Sequence, residues 1–161
     1  MHKYELAISR TPVHHHERFY SLNLLLRRHH ISLLREEARR VHPIEACGIL
    51  FGKLNQAKAV VEKVVMAPNI LRSGERFEIN PETVVKAIAE SEKKGLHFIG
   101  LFHSHPASAN PSLVDMKFMK LWGDAIWLIL SLTDAKLAAF QMKDGELEEV
   151  AIELNNSILP C

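Results

Sequence analysis

Two histidines and an aspartate are spaced along the chain in a way that suits a metal ion. His103 and His105 lie in a His-Ser-His-Pro motif. Asp115 follows after nine intervening residues, in a Ser-Leu-Val-Asp motif that begins at Ser112. Side chains two residues apart on a β-strand project from the same face, so both imidazoles can reach one ion. Two imidazoles and one carboxylate leave the fourth tetrahedral position of a zinc ion open, which a hydrolase needs and a structural zinc site avoids.

The same residues also have simple structural interpretations. A histidine at the end of a strand is commonly an ordinary hydrogen-bonded residue. Ser112 and Asp115 have the spacing of a helix capping box, in which the serine caps the helix and the acidic residue bonds back to it. The two interpretations are compatible, because a capping box would fix the start of the helix that carries the aspartate.

The predicted elements around these motifs bring them together. The apolar residues 96–102 predict a buried strand that leads directly into His103. A loop containing Pro and Asn then leads to a helix that starts near Ser112 and ends by Gly123. This arrangement returns Asp115, in the first turn of the helix, toward the histidines.

The rest of the chain predicts two more helices and several strands. One helix is capped by Ser32 and stopped by Pro43, and another runs from the Asn80-Pro81 start to Gly95. Strands are predicted at residues 46–51, 58–66, 125–132, 136–142 and 146–154, the last three joined by compact turns. The pattern indicates a mixed α/β fold with a central, mostly antiparallel sheet flanked by helices. No Gly-rich phosphate loop is present.

Composition narrows the class of protein. A chain of 161 residues with 47% hydrophobic content suits one compact domain. The net charge of +1 favours neither nucleic acid nor a membrane surface, and the longest apolar run, at residues 125–132, is too short to span a bilayer. No signal peptide is evident, and a disulfide between Cys47 and Cys161 is not expected, so we expect a cytoplasmic location.

The first thirty residues differ from the rest, because they hold six of the ten histidines. The His14-His15-His16 cluster could bind a metal, but a solvated arm or cloning-derived sequence is the favoured interpretation. We therefore divide the chain into an N-terminal His/Arg-rich extension (residues 1–30) and one catalytic domain (residues 31–161). The apolar residues 22–26 could pack on the main body or serve as a homodimer contact.

The chain resembles the JAMM (MPN+) domain metalloproteases of archaeal or bacterial type. Their signature is a glutamate, then His-Ser/Thr-His-Pro, then Ser-x-x-Asp, and Glu45, His103, His105, Ser112 and Asp115 match it in order. The resemblance covers about residues 31–153. The RadC-like group has His-Asn-His-Pro at the corresponding place, so the serine within this motif favours the JAMM side. The resemblance implies a cytidine-deaminase-like JAMM/MPN fold.

The resemblance also implies a role for each matching residue. Zinc would be held by His103, His105 and Asp115 and would carry a water molecule. Glu45, outside the ligand set, would act as the general base on that water. Ser112 would donate a hydrogen bond to the oxyanion, in addition to capping its helix. Cys47, close to Glu45 in sequence, is best interpreted as a buried core residue that could approach the site.

In the families that the chain resembles, the substrate is the amide bond after the C-terminal tail of a ubiquitin-like protein, and strand addition can hold such a tail. Residues 68–79, with Arg72, Arg76 and Phe77, are the candidate substrate-binding segment, although they could be an ordinary connector. The expected partner is a small ubiquitin-like or sulfur-carrier protein. Two alternatives stay open: a zinc hydrolase of the same fold that acts on small peptides or amides, and a non-catalytic MPN scaffold.

Overall fold

The structure, a computed structural model, describes residues 22–156. Within this range the chain forms seven strands and three helices. In chain order they are β1 (Asn23–Leu26), α1 (Arg28–Val41), β2 (Cys47–Leu54), β3 (Lys58–Ala67), α2 (Pro81–Glu92), β4 (His97–His105), α3 (Leu113–Leu121), β5 (Ile126–Ser131), β6 (Leu137–Lys143) and β7 (Glu146–Leu154). None of these helices is long and apolar enough to span a membrane.

The described strands form one closed sheet. Their order is β1-β3-β2-β4-β5-β6-β7, and β7 pairs back with β1. The β2–β3, β2–β4, β5–β6 and β6–β7 pairs are antiparallel, whereas β1–β3, β1–β7 and β4–β5 are parallel. The mixed α/β prediction is therefore confirmed, and four of the seven described strand pairs are antiparallel, but the sheet is closed and mixed rather than simply antiparallel. Closure by β1 and the α3 crossover between β4 and β5 introduce the parallel pairs.

Residues 23–30, predicted to belong to the N-terminal extension of residues 1–30, lie within the folded body. Strand β1 pairs on both sides, and the side chains of Leu24 and Leu26 are fully buried. These two leucines are thus not available for the dimer contact considered above. Helix α1 begins at Arg28 rather than after Ser32, and its N-cap residue, Arg27, makes no side-chain cap. The histidine cluster at residues 14–16 lies outside the described residues.

Helices pack on both faces of the sheet. On one face, Val84 of α2 and Met119 of α3 join Leu101 and Trp127 in a buried cluster. On the other face, Leu34 of α1 packs with residues such as Phe102 and Leu128. Helix α2 has the predicted start, since the Asn80 side chain accepts a hydrogen bond from the Glu82 N–H at 3.0 Å and Pro81 is its first residue. The face that carries α2 and α3 is the one toward which β4 directs its histidines.

One glycine allows β4 and β5 to lie unusually close. Gly100 of β4 is paired with Ile126 of β5, and a Cβ atom placed on Gly100 would stand 1.8 Å from the Ile126 carbonyl oxygen. Any side chain there would force the two strands apart. The absence of a side chain at Gly100 therefore maintains the parallel pairing from which His103 and His105 emerge.

Candidate metal centre

The two imidazoles at the end of β4 converge on one point. His103 and His105 point to the same face of the strand, and their Nε2 atoms are 2.9 Å apart. Both residues are buried, His103 completely. Ser104, between them, points to the opposite face, where its Oγ accepts a hydrogen bond from the Ala46 N–H at 2.9 Å. Strand alternation is thus sufficient to bring both ring nitrogens to the same place.

The third group comes from the first turn of α3. Ser112 and Asp115 form a capping box: the Asp115 N–H donates to Ser112 Oγ at 3.0 Å, and the Ser112 N–H donates to Asp115 Oδ2 at 2.8 Å. Asp115 Oδ2 also lies 3.1 Å from the Nε2 atom of both histidines. The capping box therefore orients the carboxylate toward the imidazoles, so both interpretations of this motif apply.

These three atoms fit a small divalent cation. Metal–ligand bonds of about 2.0–2.1 Å in a tetrahedral arrangement separate the ligand atoms by about 3.3 Å, close to the 2.9–3.1 Å found here. Two imidazole nitrogens and a carboxylate oxygen are also the donor types that zinc and related ions accept. The other ring nitrogen of His105, Nδ1, lies 2.9 Å from the Ser108 carbonyl oxygen, which fixes the ring orientation as in many metal sites.

Glu45 lies just before β2, beside the histidines. Its Oε1 atom is 3.7 Å from His105 Nε2, and its Oε2 atom has no hydrogen-bond partner among the described residues. The ligand atoms of Glu45, His103 and His105 all lie within 4.8 Å of one another, so this carboxylate is close enough to take part in metal chemistry. The wider separation from His105 favours a place outside the three-atom set formed with Asp115.

Burial and neighbouring charges shift the ionisation of these groups. Burial raises the pKa of Glu45 to about 7; Asp115 and Glu75 act in the same direction, and His105 opposes them. Burial lowers the pKa of His103. Burial also disfavours the protonated form of His105, but the hydrogen bond with Asp115 and the charge of that carboxylate outweigh burial and raise the pKa of His105. Burial disfavours the Asp115 carboxylate as well, yet hydrogen bonds with both histidines hold its pKa well below the usual range.

Aromatic rings support the histidine that is most buried. Phe77 stacks on His103 with ring centroids 4.6 Å apart and planes 24° apart, and Trp127 meets the same imidazole edge-on at 5.8 Å. Trp127 carries no motif that would have indicated a functional position. Phe77, predicted as a substrate-binding residue, thus contacts a candidate metal ligand directly, and this contact holds the ring of His103 in place.

A cavity of about 440 Å³ opens beside Asp115. Most of its lining is apolar, and it includes residues of the 69–79 loop, α2, α3 and the sheet, among them Leu71, Arg76, Phe77, Val84, Phe118, Leu121 and Trp127. Arg76 is exposed at the cavity, whereas Arg72 is exposed and is not among the lining residues. Of the candidate substrate-binding residues, the structure places Arg76 and Phe77 at the cavity.

The structure brings the five motif residues Glu45, His103, His105, Ser112 and Asp115 to one place. Cys47 is paired with His103 across the sheet, but its side chain is fully buried and its Sγ lies 3.4 Å from the Ala67 carbonyl oxygen. Burial, followed by the charge of Glu45, raises the pKa of the Cys47 thiol to about 12. The thiol is therefore unsuited to act as a thiolate ligand or nucleophile.

Comparison with known proteins gives consistent matches along the chain. A family model described as prokaryotic homologs of the JAB domain matches residues 27–143. The desampylase of Pyrococcus furiosus is 39% identical over 110 residues, which cover 68% of this chain and 75% of that protein. The CysO-cysteine peptidase of Mycobacterium tuberculosis is 27% identical over 135 residues, covering 81% of this chain and 90% of that protein.

Two solved structures share the fold. A protein of Desulfitobacterium hafniense, solved in solution, aligns with a TM-score of 0.76 at 29% identity and covers 84% of this chain and 94% of that one. A JAB1/MPN domain protein of Archaeoglobus fulgidus aligns with a TM-score of 0.53 at 20% identity, covering 83% of this chain and 98% of that one. The second likeness supports the fold alone.

Proposed function

Since the chain belongs to the family of prokaryotic homologs of the JAB domain, we propose that it is a zinc-dependent isopeptidase. Its substrate would be the amide bond after the C-terminal tail of a ubiquitin-like or sulfur-carrier protein. The observation that carries the proposal is the buried convergence of His103, His105 and Asp115. Beside them lies the Glu45 carboxylate, whose Oε2 atom has no hydrogen-bond partner among the described residues. The names of the similar proteins, desampylase and CysO-cysteine peptidase, support hydrolysis of such linkages.

The metal would be held by Nε2 of His103, Nε2 of His105 and Oδ2 of Asp115. Zinc is the proposed ion, because two imidazoles and one carboxylate form an open set of the kind found in zinc hydrolases. When bound, zinc would acidify a water molecule and polarise the carbonyl of the scissile amide. The rigid β4 strand and the capping box at Ser112 would keep the three ligand atoms in place before the ion arrives.

Glu45 would act as the general base. A base works best when its pKa is close to the working pH, and burial raises the pKa of this carboxyl to about 7. A bound cation would draw that pKa down and so favour the ionised, proton-accepting form. Glu45 would accept the proton of the attacking water and return it to the leaving amine through its Oε2 atom, which no group of residues 22–156 hydrogen-bonds.

Ser112 would stabilise the developing negative charge on the carbonyl oxygen. Its Oγ atom already accepts a hydrogen bond from the Asp115 N–H, which leaves the hydroxyl hydrogen free for another acceptor. A hydroxyl that is fixed by the capping box needs little reorganisation when the oxyanion forms. Capping would then use the hydroxyl oxygen as an acceptor, and catalysis would use the hydroxyl hydrogen as a donor.

The substrate tail would reach the site along the 69–79 loop. The described strands close on one another, so an added peptide would pair with this loop rather than with an edge of the sheet. Arg72 and Arg76 would offer guanidinium groups to the tail from a loop whose formal net charge is zero, because Glu75 and Glu78 balance them, and the apolar cavity would accept a side chain of the tail. The cavity volume of about 440 Å³ also lies within the range of small-ligand sites, which favours hydrolysis of small peptides or amides as the second candidate function.

Zinc analysis and a cleavage assay test the proposal together. The assay uses a ubiquitin-like or sulfur-carrier protein joined through its C-terminal tail to a reporter, and a set of short peptides with the same tail sequence. We expect one zinc ion per chain and cleavage of the folded conjugate. Glu45→Gln should retain zinc but lose about 100-fold or more in kcat, whereas the exposed control Glu90→Gln should match the parent.

Three results would contradict the proposal in different ways. Cleavage by Glu45→Gln at the parent rate would refute the base. Turnover of short peptides without turnover of folded conjugates would support the small-substrate alternative. A chain that contains no zinc after purification without chelator, and that binds the conjugate without cleaving it, would support the non-catalytic scaffold.

A further inference from the structure

Asn69 is a buried side chain that no catalytic step uses. Its carboxamide makes five hydrogen bonds, and all of them are with backbone groups. Nδ2 donates to the carbonyl oxygens of Glu45 (3.2 Å), Ser73 (3.3 Å) and Arg76 (2.9 Å), and Oδ1 accepts from the N–H groups of Leu71 (3.1 Å) and Glu78 (3.2 Å). Both donor hydrogens and both acceptor positions of the amide are in use.

One of these bonds leaves the loop and reaches the proposed general base. The Glu45 carbonyl oxygen accepts from Asn69, and the Glu45 N–H donates to the Ser73 carbonyl oxygen at 2.8 Å. Both the N–H and the carbonyl oxygen of Glu45 are therefore hydrogen-bonded to the 69–79 loop, which we call the Asn69 loop. A Cβ atom on Gly74 of this loop would lie 2.6 Å from the Pro43 carbonyl oxygen, so the loop packs directly on the segment before Glu45.

The remaining bonds shape the part of the Asn69 loop that faces the cavity. Asn69 holds the backbone of Arg76 and Glu78, on either side of Phe77. Phe77 stacks on His103, and both Arg76 and Phe77 line the cavity. A single carboxamide thus connects the base, the residue that supports a metal ligand, and the loop that would contact the substrate.

We infer that Asn69 is a positioning residue that sets the place of the Glu45 carboxylate relative to the metal ligands and links it to the substrate-facing loop. The inference rests on the proposed function for its effect on turnover. Its structural part, the attachment of the Glu45 backbone to the Asn69 loop, can be measured without turnover. A buried polar group whose partners are removed costs free energy, so the loop would rearrange rather than leave the Glu45 and Arg76 carbonyl oxygens without the donor they now share.

Asn69→Asp removes the N–H donors of this side chain and keeps its acceptor oxygen. The aspartate has nearly the same shape and keeps the acceptor oxygen for Leu71 and Glu78, but places a second oxygen against three carbonyl oxygens. Asn55→Asp is the matched control. Asn55 lies in the β2–β3 turn, where its side-chain Oδ1 accepts hydrogen bonds from the Ala57 and Lys58 N–H groups, and an aspartate can keep both. Both variants carry the same change of charge.

The experiment compares both variants as zinc-loaded full-length protein on the ubiquitin-like conjugate. We expect Asn69→Asp to lower kcat by about 100-fold, the loss that a displacement of about 1 Å at a reacting group can cause. Zinc content should stay at the parent level, since no ligand is touched, and Asn55→Asp should retain the parent kcat. Asn69→Ser, which keeps a small polar group, replaces Asn69→Asp in this comparison if the latter does not fold.

Hydrogen exchange supplies the readout that does not depend on activity. The Glu45 amide is bonded to the Asn69 loop, whereas the Ser104 amide is bonded to the Ala46 carbonyl oxygen at 3.0 Å. In the Asn69 variant the Glu45 amide should exchange at least 10-fold faster, with the Ser104 amide unchanged. An unchanged Glu45 amide, or a kcat equal to that of Asn55→Asp, would overturn the inference. If the parent cleaves no conjugate, the proposed function fails, and the exchange data still decide the positioning role.

Discussion

Replacing Glu45 by glutamine should stabilise the metal-free protein at neutral and alkaline pH while it abolishes turnover. The carboxyl is buried, 4% exposed, and its pKa in the folded chain is raised from 4.5 to about 7. A raised pKa means that the folded state prefers the protonated acid. Stability from this group is therefore fully present below pH 4.5 and is lost as the pH rises through 7. Glutamine resembles the protonated acid at every pH.

The size of the effect follows from the two pKa values. The difference between 4.5 and about 7 corresponds to roughly 3 kcal/mol at about 1.4 kcal/mol per pH unit. Water reaches the edge of the site at His105, which is 9% exposed, and screening by this water reduces the value. Burial of the glutamine amide has its own cost. We therefore expect a net gain of about 1–2 kcal/mol in the free energy of unfolding at pH 8.

Urea denaturation in the presence of a chelator measures this gain. The parent and Glu45→Gln are compared at pH 8 and pH 5, with Glu90→Gln as the control for loss of a surface charge. The gain should be present at pH 8 and fall to roughly a quarter of that size at pH 5, where the carboxyl is protonated in the folded chain but still mostly ionised in the unfolded chain. If Glu45→Gln is equal to or less stable than the parent at pH 8, the Glu45 carboxylate is not a source of instability and the reasoning is wrong.

Four further predictions follow from other contacts. Ser112→Ala should lose about 1 kcal/mol of stability because the helix cap is removed, and at least 100-fold in kcat because the hydroxyl donor is removed. Ser112→Thr, which keeps a hydroxyl, should recover most of both losses. Equal kcat for the parent and both variants would exclude the oxyanion role. Gly100→Ala should cost about 3 kcal/mol in urea denaturation because its Cβ meets the Ile126 carbonyl oxygen. Gly123→Ala meets no atom within 4 Å, so it should cost only about 1 kcal/mol, the strain of an alanine at a φ of +61°; similar costs for the two would contradict the close approach at Gly100. Burial, with the charges of His29 and Arg27, lowers the pKa of His30 to about 4 in the folded chain. As the pH falls from 6.5 to 4, the unfolded chain therefore binds a proton at this histidine and the folded chain does not, so the free energy of unfolding should decrease over that range. The decrease, measured by urea denaturation, should be smaller in His30→Gln. Phe77→Leu should weaken zinc binding about 10-fold in chelator competition, since it removes the stack on His103, and unchanged affinity would show that the stack has no such effect.

Local sequence signals predicted the parts of the fold that depend on neighbouring residues. Asn80 followed by Pro81 indicates a helix start, and the structure has it there. The apolar run before His103 and the capping box at Ser112 indicated a strand, a turn and a helix, which together bring His103 and Asp115 within hydrogen-bonding distance. Each of these features is a strand alternation or a helix cap, and such features are encoded within a few residues.

The features that escaped prediction depend on residues far apart in the sequence. Pairing of Asn23 with Ala151 closes the sheet, and no local pattern specifies a partner at that distance. Helix α1 begins without a side-chain cap at Arg27, so Ser32 was the only visible start signal. Asn69 was not singled out within the candidate substrate-binding segment 68–79, because its role depends on the carbonyl oxygens that the fold brings around it.

The closure of the sheet by β1 has a consequence for the order in which the protein can assemble during synthesis. Strand β1 is among the first described segments to leave the ribosome, but its partner β7 is the last described strand. The pairing of these two strands ends with a hydrogen bond from the Asn155 N–H to the Leu26 carbonyl oxygen at 2.8 Å. Contacts between such distant segments form slowly and only after most of the chain exists. All five motif residues lie between Glu45 and Asp115. The nascent chain therefore contains all five of these residues well before β7 can close the sheet.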